Sequence, residues 1–278
     1  MDRPTQVIYA QRLRALHDRQ HPLLLPNAWD AGSAALFVSL GFPAVATTSG
    51  GMAWSLGYAD GEQAPLDDVL AAIGRITRVV PAPVTVDFEA GFGDSPAAVA
   101  AHVRRAIDAG IAGLNLEDGI RHETLRPIDE AAARIQAARE AAECAGVPIF
   151  INARVDTFMT PWHDGEAART EETVRRAEAY LAAGADGIYP IGASEPALLR
   201  TLAARIPAPI NIAARDGLPD LAELAALGIA RVSTATRLAS LAYAGARAAA
   251  LRLKDSGQFD GLDAGFGYAD MQRLFSHP

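Results

Sequence analysis

The chain has 278 residues, half of them hydrophobic and 21% charged, with a mean hydropathy of +0.09. A chain of that length and apolar content buries a large core unaided, which excludes global disorder, and its single cysteine, Cys144, excludes a disulfide-built scaffold. With 25 Lys and Arg against 33 Asp and Glu the formal charge is −8, a surface that repels polyphosphates and anionic lipid, so neither nucleic acid nor a membrane is an expected partner. Met1-Asp2-Arg3-Pro4 opens without an apolar segment behind it. No stretch reaches the roughly 18 apolar residues of a membrane helix, so a cytoplasmic protein is expected.

Residues 4–20 read as an amphipathic helix that caps the fold. Short apolar runs follow at Leu23–Leu25, Ala44–Thr47, Val84–Val86, Gly113–Leu116, Pro148–Ile151, Gly187–Tyr189, Pro209–Ile212 and Arg231–Ser233. Several are announced by an Ala-rich or Leu-rich stretch ending in glycine, as at Gly41, Gly110, Gly146, Gly184 and Gly228. A glycine just past a helix end adopts the left-handed cap at no Cβ cost. The runs are apolar throughout instead of alternating, as strands buried on both faces are. Eight strands separated by helices predict one domain, residues 1–278, folded as a (β/α)8 TIM-type barrel. Residues 252–278 form a polar, Gly-rich extension that regains apolar residues at Tyr268, Met271, Leu274 and Phe275, one helix face with no obvious place on a lone barrel. Packing of that helix on another subunit is therefore expected.

In such barrels the chemistry lies at the C-terminal ends of the strands. One strand ends in Asp87-Phe88-Glu89-Ala90-Gly91-Phe92-Gly93, with two acids two residues apart and so on one face, and the next ends in Glu117-Asp118. Clustered carboxylates without His or Cys fit Mg²⁺, although solvated loop acids and helix N-caps read the same way. Thr47-Thr48-Ser49-Gly50-Gly51 offers hydroxyls and backbone N–H groups for a carboxylate or phosphate, but Ser-Gly-Gly is also ordinary loop chemistry. Arg154 closes a buried strand, where its planar fork suits a carboxylate ligand, an ion pair with Asp156 or Glu117, or both. His122 can reach the mouth, whereas His17, His21, His102, His163 and His277 read as surface or helix residues, and Cys144 as a buried spectator in an Ala-rich helix.

The order Pro26-Asn27-Ala28-Trp29-Asp30, Thr48-Ser49-Gly50-Gly51, Asp87-Phe88-Glu89-Ala90-Gly91-Phe92-Gly93, Leu116-Glu117-Asp118 and Asn152-Ala153-Arg154-Val155-Asp156 resembles the isocitrate lyase/phosphoenolpyruvate mutase superfamily over about residues 23–240. The resemblance implies a Mg²⁺-dependent barrel, with Mn²⁺ as a substitute, that cleaves C–C or P–C bonds in 2-oxo or 2-hydroxy carboxylates. It implies a homo-oligomer, a tetramer made of helix-swapped dimers, which accounts for the orphan C-terminal helix. Asp87, Glu89 and Glu117 match its metal-site acids. Ser49 and Gly50 match its carboxylate-binding turn, flanked by Thr48 and Gly51, Arg154 its substrate arginine and Asp60 a loop acid near the substrate. Isocitrate and methylisocitrate lyases carry a cysteine acid in the loop after the fourth strand, and here that loop reads Gly119-Ile120-Arg121-His122-Glu123-Thr124. No asparagine-rich gating loop of the mutase kind is present, and Ile191 stands where relatives place His or Glu.

These residues point to a Mg²⁺-dependent lyase acting on a 2-oxo or 2-hydroxy di- or tricarboxylate through a pyruvate-type enolate, of which oxaloacetate decarboxylation is the simplest case. Decarboxylation needs no acid before the bond breaks, and His122 or Asp60 would protonate the enolate afterwards. Two other readings stand beside it: a phosphonopyruvate-type mutase or hydrolase, and a 2-oxo acid binding protein, for example for 2-oxoglutarate, with little turnover.

Overall fold

From Leu23 onward the chain alternates short strands with helices, as the glycine punctuation predicts. The computed structural model describes residues 1–121, 123–162, 164–263 and 265–276. Its strands are β1 (Leu23–Leu25), β2 (Asn27–Ala28), β3 (Val45–Thr47), β4 (Val84–Asp87), β5 (Gly113–Glu117), β6 (Gly119–Ile120), β7 (Thr124–Leu125), β8 (Phe150–Arg154), β9 (Gly187–Tyr189), β10 (Asn211–Ala213) and β11 (Arg231–Ser233). One ladder runs β1-β11-β10 and a second β2-β3-β4-β5-β8-β9, every pair parallel, while β6 and β7 form a small antiparallel hairpin. The run 23–28, interrupted at Pro26, supplies a strand to each ladder, and Ile188 and Ile210 form a parallel bridge between β9 and the approach to β10. Parallel strands need helical crossovers, and every ladder strand from β3 onward is reached through a helix. This is a parallel α/β architecture.

The strand predicted at Pro148–Ile151 begins instead at Phe150 and runs to Arg154. Pro148 has no N–H to donate, and Ile149 N bonds locally to Val147 O at 2.8 Å, so the ladder starts two residues later than predicted. The N-terminal helix spans Arg3–Ala15, shorter than the predicted 4–20. Asp18 ends it early by accepting bonds from Gln20 N and the His21 ring at 2.9 Å each, a local turn that competes with helix. This helix seals the lower end of the strand layer. Gln6 Nε2 donates to Ile107 O and Ile111 O at 2.7 and 2.8 Å, and Leu13 is fully buried. His17, read as a surface or helix residue, lies just past the helix and stacks on Phe150 with ring centroids 3.8 Å apart, and burial pushes its imidazole down to about 3. Gly113 has no room for a side chain: a Cβ would lie 2.7 Å from Leu13 Cδ2 and 2.8 Å from Phe150 O.

Cys144 is exposed, not buried as the sequence reading expected. The helix Ile128–Ala145 buries Ala131, Arg134, Ile135, Ala138 and Ala142, and a residue two positions beyond Ala142 falls on the opposite face. At the C-terminus the helix Arg237–Ser256 buries only Ala239, and Leu241, Tyr243, Phe259, Leu262, Phe266 and Tyr268 are exposed. The helix Tyr268–Phe275 leans on the helix Ala31–Ser39, where Met271 Cε lies 3.5 Å from the position a Gly32 Cβ would take. No helix of the described residues is long and apolar enough to cross a membrane.

Candidate active site

The site is assembled where the parallel strands deliver their C-terminal ends. Thr48 caps the helix Ser49–Leu56, its Oγ1 accepting from Gly51 N at 3.5 Å, so that the Gly51 N–H faces its own helix cap. Gly51 is also packed tightly, since a Cβ there would lie 2.6 Å from Thr48 Cγ2. Ser49 faces the mouth instead: its Oγ and N donate to Asp87 Oδ2 at 3.0 and 3.4 Å. Asp87, the last residue of β4, is held from below by Asn115, whose Nδ2 donates to Asp87 Oδ1 at 3.4 Å. Asn115 Oδ1 receives Asn152 Nδ2 at 2.8 Å and Arg231 Nη2 at 3.4 Å, which fixes the direction of its amide. Asp60 overhangs Gly50, with Oδ2 only 2.9 Å from where a Gly50 Cβ would stand. Ser49, Asp60 and Arg154 line both a cavity of about 830 Å³ that also takes in Glu89 and Glu117 and a smaller one of about 230 Å³ that reaches Asp87, so the two are parts of one mouth.

Glu89 does not share a strand face with Asp87. β4 ends at Asp87, and Glu89 lies beyond it in left-handed backbone, φ 48°, so strand alternation no longer applies. Its Oε2 accepts from Glu62 N at 2.7 Å, while Glu62 Oε1 accepts from Phe92 N at 2.6 Å, stitching the loop before Pro65 to the loop after β4. Burial, then repulsion from Asp87 and Asp60, pushes the Glu89 carboxyl from 4.5 up to about 8. The folded protein therefore holds a proton that the unfolded chain releases, and the Glu89 contribution to stability is present below pH 4.5 and lost as pH rises toward 8. In metal-free buffer the unfolding free energy read from urea melts is expected to fall across this window, by up to about 1.4 kcal/mol per pH unit from this group. Glu89→Gln should flatten the profile, and an unaltered slope in that variant would assign the effect elsewhere.

Arg154 ends β8 and is 6% exposed. Its Nε and Nη2 donate to the two oxygens of Asp156 at 2.7 and 2.8 Å, and Nη1 pairs with Glu117 Oε2 at 2.5 Å. Burial raises the Glu117 carboxyl well above its ordinary range, against the pull of Arg154. Burial also opposes the Arg154 charge, but Glu117 and Asp156 outweigh it and hold the guanidinium ionised. Asp118, which the sequence places beside the other acids, turns away from the mouth. It is 1% exposed and accepts from Tyr180 Oη at 2.6 Å, Arg176 Nη1 at 3.0 Å and Asp156 N at 2.8 Å. The acid beside Glu117 thus braces the carboxylate that aims Arg154.

Asp87, Glu89 and Glu117 border one mouth, but among the described residues no three acids, histidines or cysteines close into a metal cage. Asp87 accepts a hydrogen bond from Ser49 and Glu89 one from Glu62, whereas Glu117 is ion-paired with Arg154. His122 lies outside the described residues. Sequence reasoning missed Asn115, Asp118 as a brace, Glu62, Arg126 and Tyr189, a 3%-exposed phenol that burial pushes up to about 12. For Asn115 a signal was available. Asn115, Asn152 and Asn211 are single amides set in otherwise apolar strands, and each is at most 5% exposed.

Strands running in one direction bring carboxylates, a buried arginine and a hydroxyl-led helix start to one mouth of an α/β protein. The chain matches the phosphoenolpyruvate phosphomutase family over residues 13–254 and belongs to it. It is 34% identical to the 2-methylisocitrate lyase of Escherichia coli K12 over 204 residues, 71% of this chain and 67% of that protein. It is 30% identical to the oxaloacetate decarboxylase of a Marinomonas species over 246 residues, 82% of this chain and 79% of that protein. Among solved structures, 2,3-dimethylmalate lyase, a PEP mutase/isocitrate lyase superfamily member, superposes with a TM-score of 0.83 at 27% identity, covering 96% of this chain and 94% of that one. The chain is thus a member of a superfamily of lyases and mutases.

Proposed function

We propose that this protein is a Mg²⁺-dependent carbon–carbon lyase acting on a 2-oxo or 2-hydroxy di- or tricarboxylate through a pyruvate-type enolate, with oxaloacetate decarboxylation as its simplest reaction. The observation that carries the reading is the buried Arg154, ion-paired with Glu117 in the mouth that also holds Asp87 and Ser49. The acids outnumber the cation there, and their mutual repulsion, felt in the raised Glu89, is what a hard divalent ion relieves. Asp87 would hold Mg²⁺, or Mn²⁺, directly, with Glu89 and Glu117 acting through its water ligands. When bound, the ion polarises the 2-oxo group and stabilises the negative charge left by bond cleavage.

The chain's own residues do the rest. With Asp87 turned to the cation, Ser49 N and Oγ and the Gly50 N–H at the helix start are free to hold the substrate carboxylate, flanked by Thr48 and Gly51. Arg154, oriented by Asp156, faces the developing oxyanion from a buried position. Asp60 stands over Gly50 and would pass a proton drawn from water to the enolate carbon, a role His122 would share. The ladders and the Ile188–Ile210 bridge support closure of the strands into a (β/α)8 barrel over a single domain. The exposed apolar row on the last two helices supports a homo-oligomer, a tetramer built from helix-swapped dimers.

Pyruvate formation from oxaloacetate, 2-methylisocitrate and phosphonopyruvate, measured with and without Mg²⁺ on a sample of known native mass, tests this reading. Asp87→Ala protein serves as the blank, since free metal decarboxylates oxaloacetate slowly. Metal-dependent pyruvate from a C–C substrate above that blank is the expected result. Turnover of phosphonopyruvate alone would make the protein a P–C enzyme, and binding without turnover would make it a 2-oxo acid binding protein.

A further inference from the structure

Four arginines are buried among the described residues, and three of them face a carboxylate. Arg134 meets Glu130 at 3.2 Å, Arg154 meets Glu117 and Asp156 at 2.5 and 2.7 Å, and Arg176 meets Asp118 and Glu172 at 3.0 and 2.8 Å. Arg231, the first residue of β11, is 1% exposed and pairs with no carboxylate among the described residues. Its Nε and Nη1 are buried without a hydrogen-bond partner there, and Nη2 makes one long bond, to Asn115 Oδ1 at 3.4 Å. Burial pulls the guanidinium down to about 10 against the opposing pull of Tyr189 and Asp87, so it stays charged at neutral pH. On the floor side His17 is neutral, kept so first by burial and then by the Arg231 charge itself. Buried charges are ordinarily paired, and the exceptions concentrate at functional sites.

The position of Arg231 shows where its charge acts. It shares a face of β11 with Ser233, which stands nearer the strand ends and lines the mouth together with Asp87 and Tyr189. Two hydrogen bonds of 3.4 Å run in series from Arg231 through Asn115 to Asp87 Oδ1. The Asn115 amide keeps its orientation without that contact, because Asn152 Nδ2 holds the same oxygen at 2.8 Å. What Arg231 alone supplies is the charge. We infer that Arg231 is a positioning residue whose unpaired charge offsets the acids of the mouth from below, weakening their hold on a divalent cation and strengthening the hold of the mouth on an anionic substrate. The inference rests on the proposed function for the identity of those two ligands. A buried unit charge, less screened than one in water, acts across several ångströms, repelling a divalent ion at Asp87 and attracting a carboxylate or an enolate above it.

Titration calorimetry of Mg²⁺, and of oxalate at saturating Mg²⁺, measures the two effects separately. Arg231→Gln removes the charge and stays polar; it is expected to bind Mg²⁺ about tenfold more tightly and oxalate about tenfold more weakly. Arg231→Lys, which keeps the charge and loses the fork, should lie near the wild type for both. A merely structural residue would weaken both ligands together. Urea unfolding in metal-free buffer adds a readout that needs neither ligand. Arg231→Met removes the buried charge and strands no acceptor, since Asn115 Oδ1 keeps Asn152, so it should be at least as stable as the wild type. The same variant serves for the titrations if the glutamine is poorly tolerated. Mg²⁺ affinity that is unchanged or weaker without the charge, or a clear loss of stability in Arg231→Met, overturns the inference. A wild type that binds neither Mg²⁺ nor oxalate overturns the functional reading itself, and this inference with it.

Discussion

Arg154→Met is expected to cost about 3–5 kcal/mol of folding stability and to lower kcat/KM on the order of a hundredfold. Removing the guanidinium takes from the buried Glu117 and Asp156 the cation that pairs with both. Burial has already raised the Glu117 carboxyl, so the loss of its partner drives it to its neutral form. Urea unfolding at neutral pH reads the first effect and initial rates the second. The double variant Arg154→Met/Glu117→Gln should recover part of the stability, because glutamine is neutral without the cost of protonating a buried carboxylate at neutral pH, but none of the rate. Full activity in Arg154→Met would take this residue out of the chemistry and leave it a structural ion pair.

The parallel strands, their order and the delivery of Arg154 and Asp87 to one end were legible because each rests on a local pattern: an apolar run, a glycine cap, a polar residue where the run stops. What failed to read was whatever depends on a partner far along the chain or on the strand's last residue. Glu117 and Asp118 look like one acidic pair, yet neighbours in a strand point to opposite faces, and the groups that receive Asp118, Arg176 and Tyr180, lie 58 and 62 residues later. Glu89 was assigned by extending the alternation past β4, where a left-handed residue had already turned the chain. The β6–β7 hairpin has two residues per strand, too few to show a period. Cys144 was misjudged by composition alone, although the spacing of Ala138 and Ala142 marks the buried face of its helix and leaves it outside.

Asp118→Ala is expected to be nearly as damaging as loss of Arg154, although residue 118 lies behind the mouth. The substitution strands two buried donors, Tyr180 Oη and Asp156 N, and takes the carboxylate from Arg176 Nη1, which keeps Arg126 O, and removal of one partner from a buried pair costs about 3–5 kcal/mol. It also removes the anchor of the Asp156 N–H, and the two oxygens of Asp156 hold the Arg154 fork, so kcat should fall about tenfold or more in protein that remains folded. Asp118→Asn keeps an acceptor at the same place and separates bracing from charge. Partial recovery of kcat in Asp118→Asn, with KM little changed, is the expected outcome. Normal kcat per folded molecule in Asp118→Ala would confine the residue to supporting the fold.

The amide of Asn115 has a further consequence. Two donors from below, Asn152 Nδ2 and Arg231 Nη2, occupy its oxygen, so its nitrogen can only present hydrogens upward to Asp87. Polarity is thus handed from the floor of the strand layer to its rim through a residue that lines the mouth only at its base. An ancestor or a designer wishing to change what the rim attracts would find residue 115 a more economical lever than the acids themselves. Exchanging that one amide for a carboxylate removes a donor from Asp87 and adds another acid beneath it, while the scaffold above it keeps its shape. Divergence within such a fold can therefore begin in its interior, with the reactive side chains unaltered.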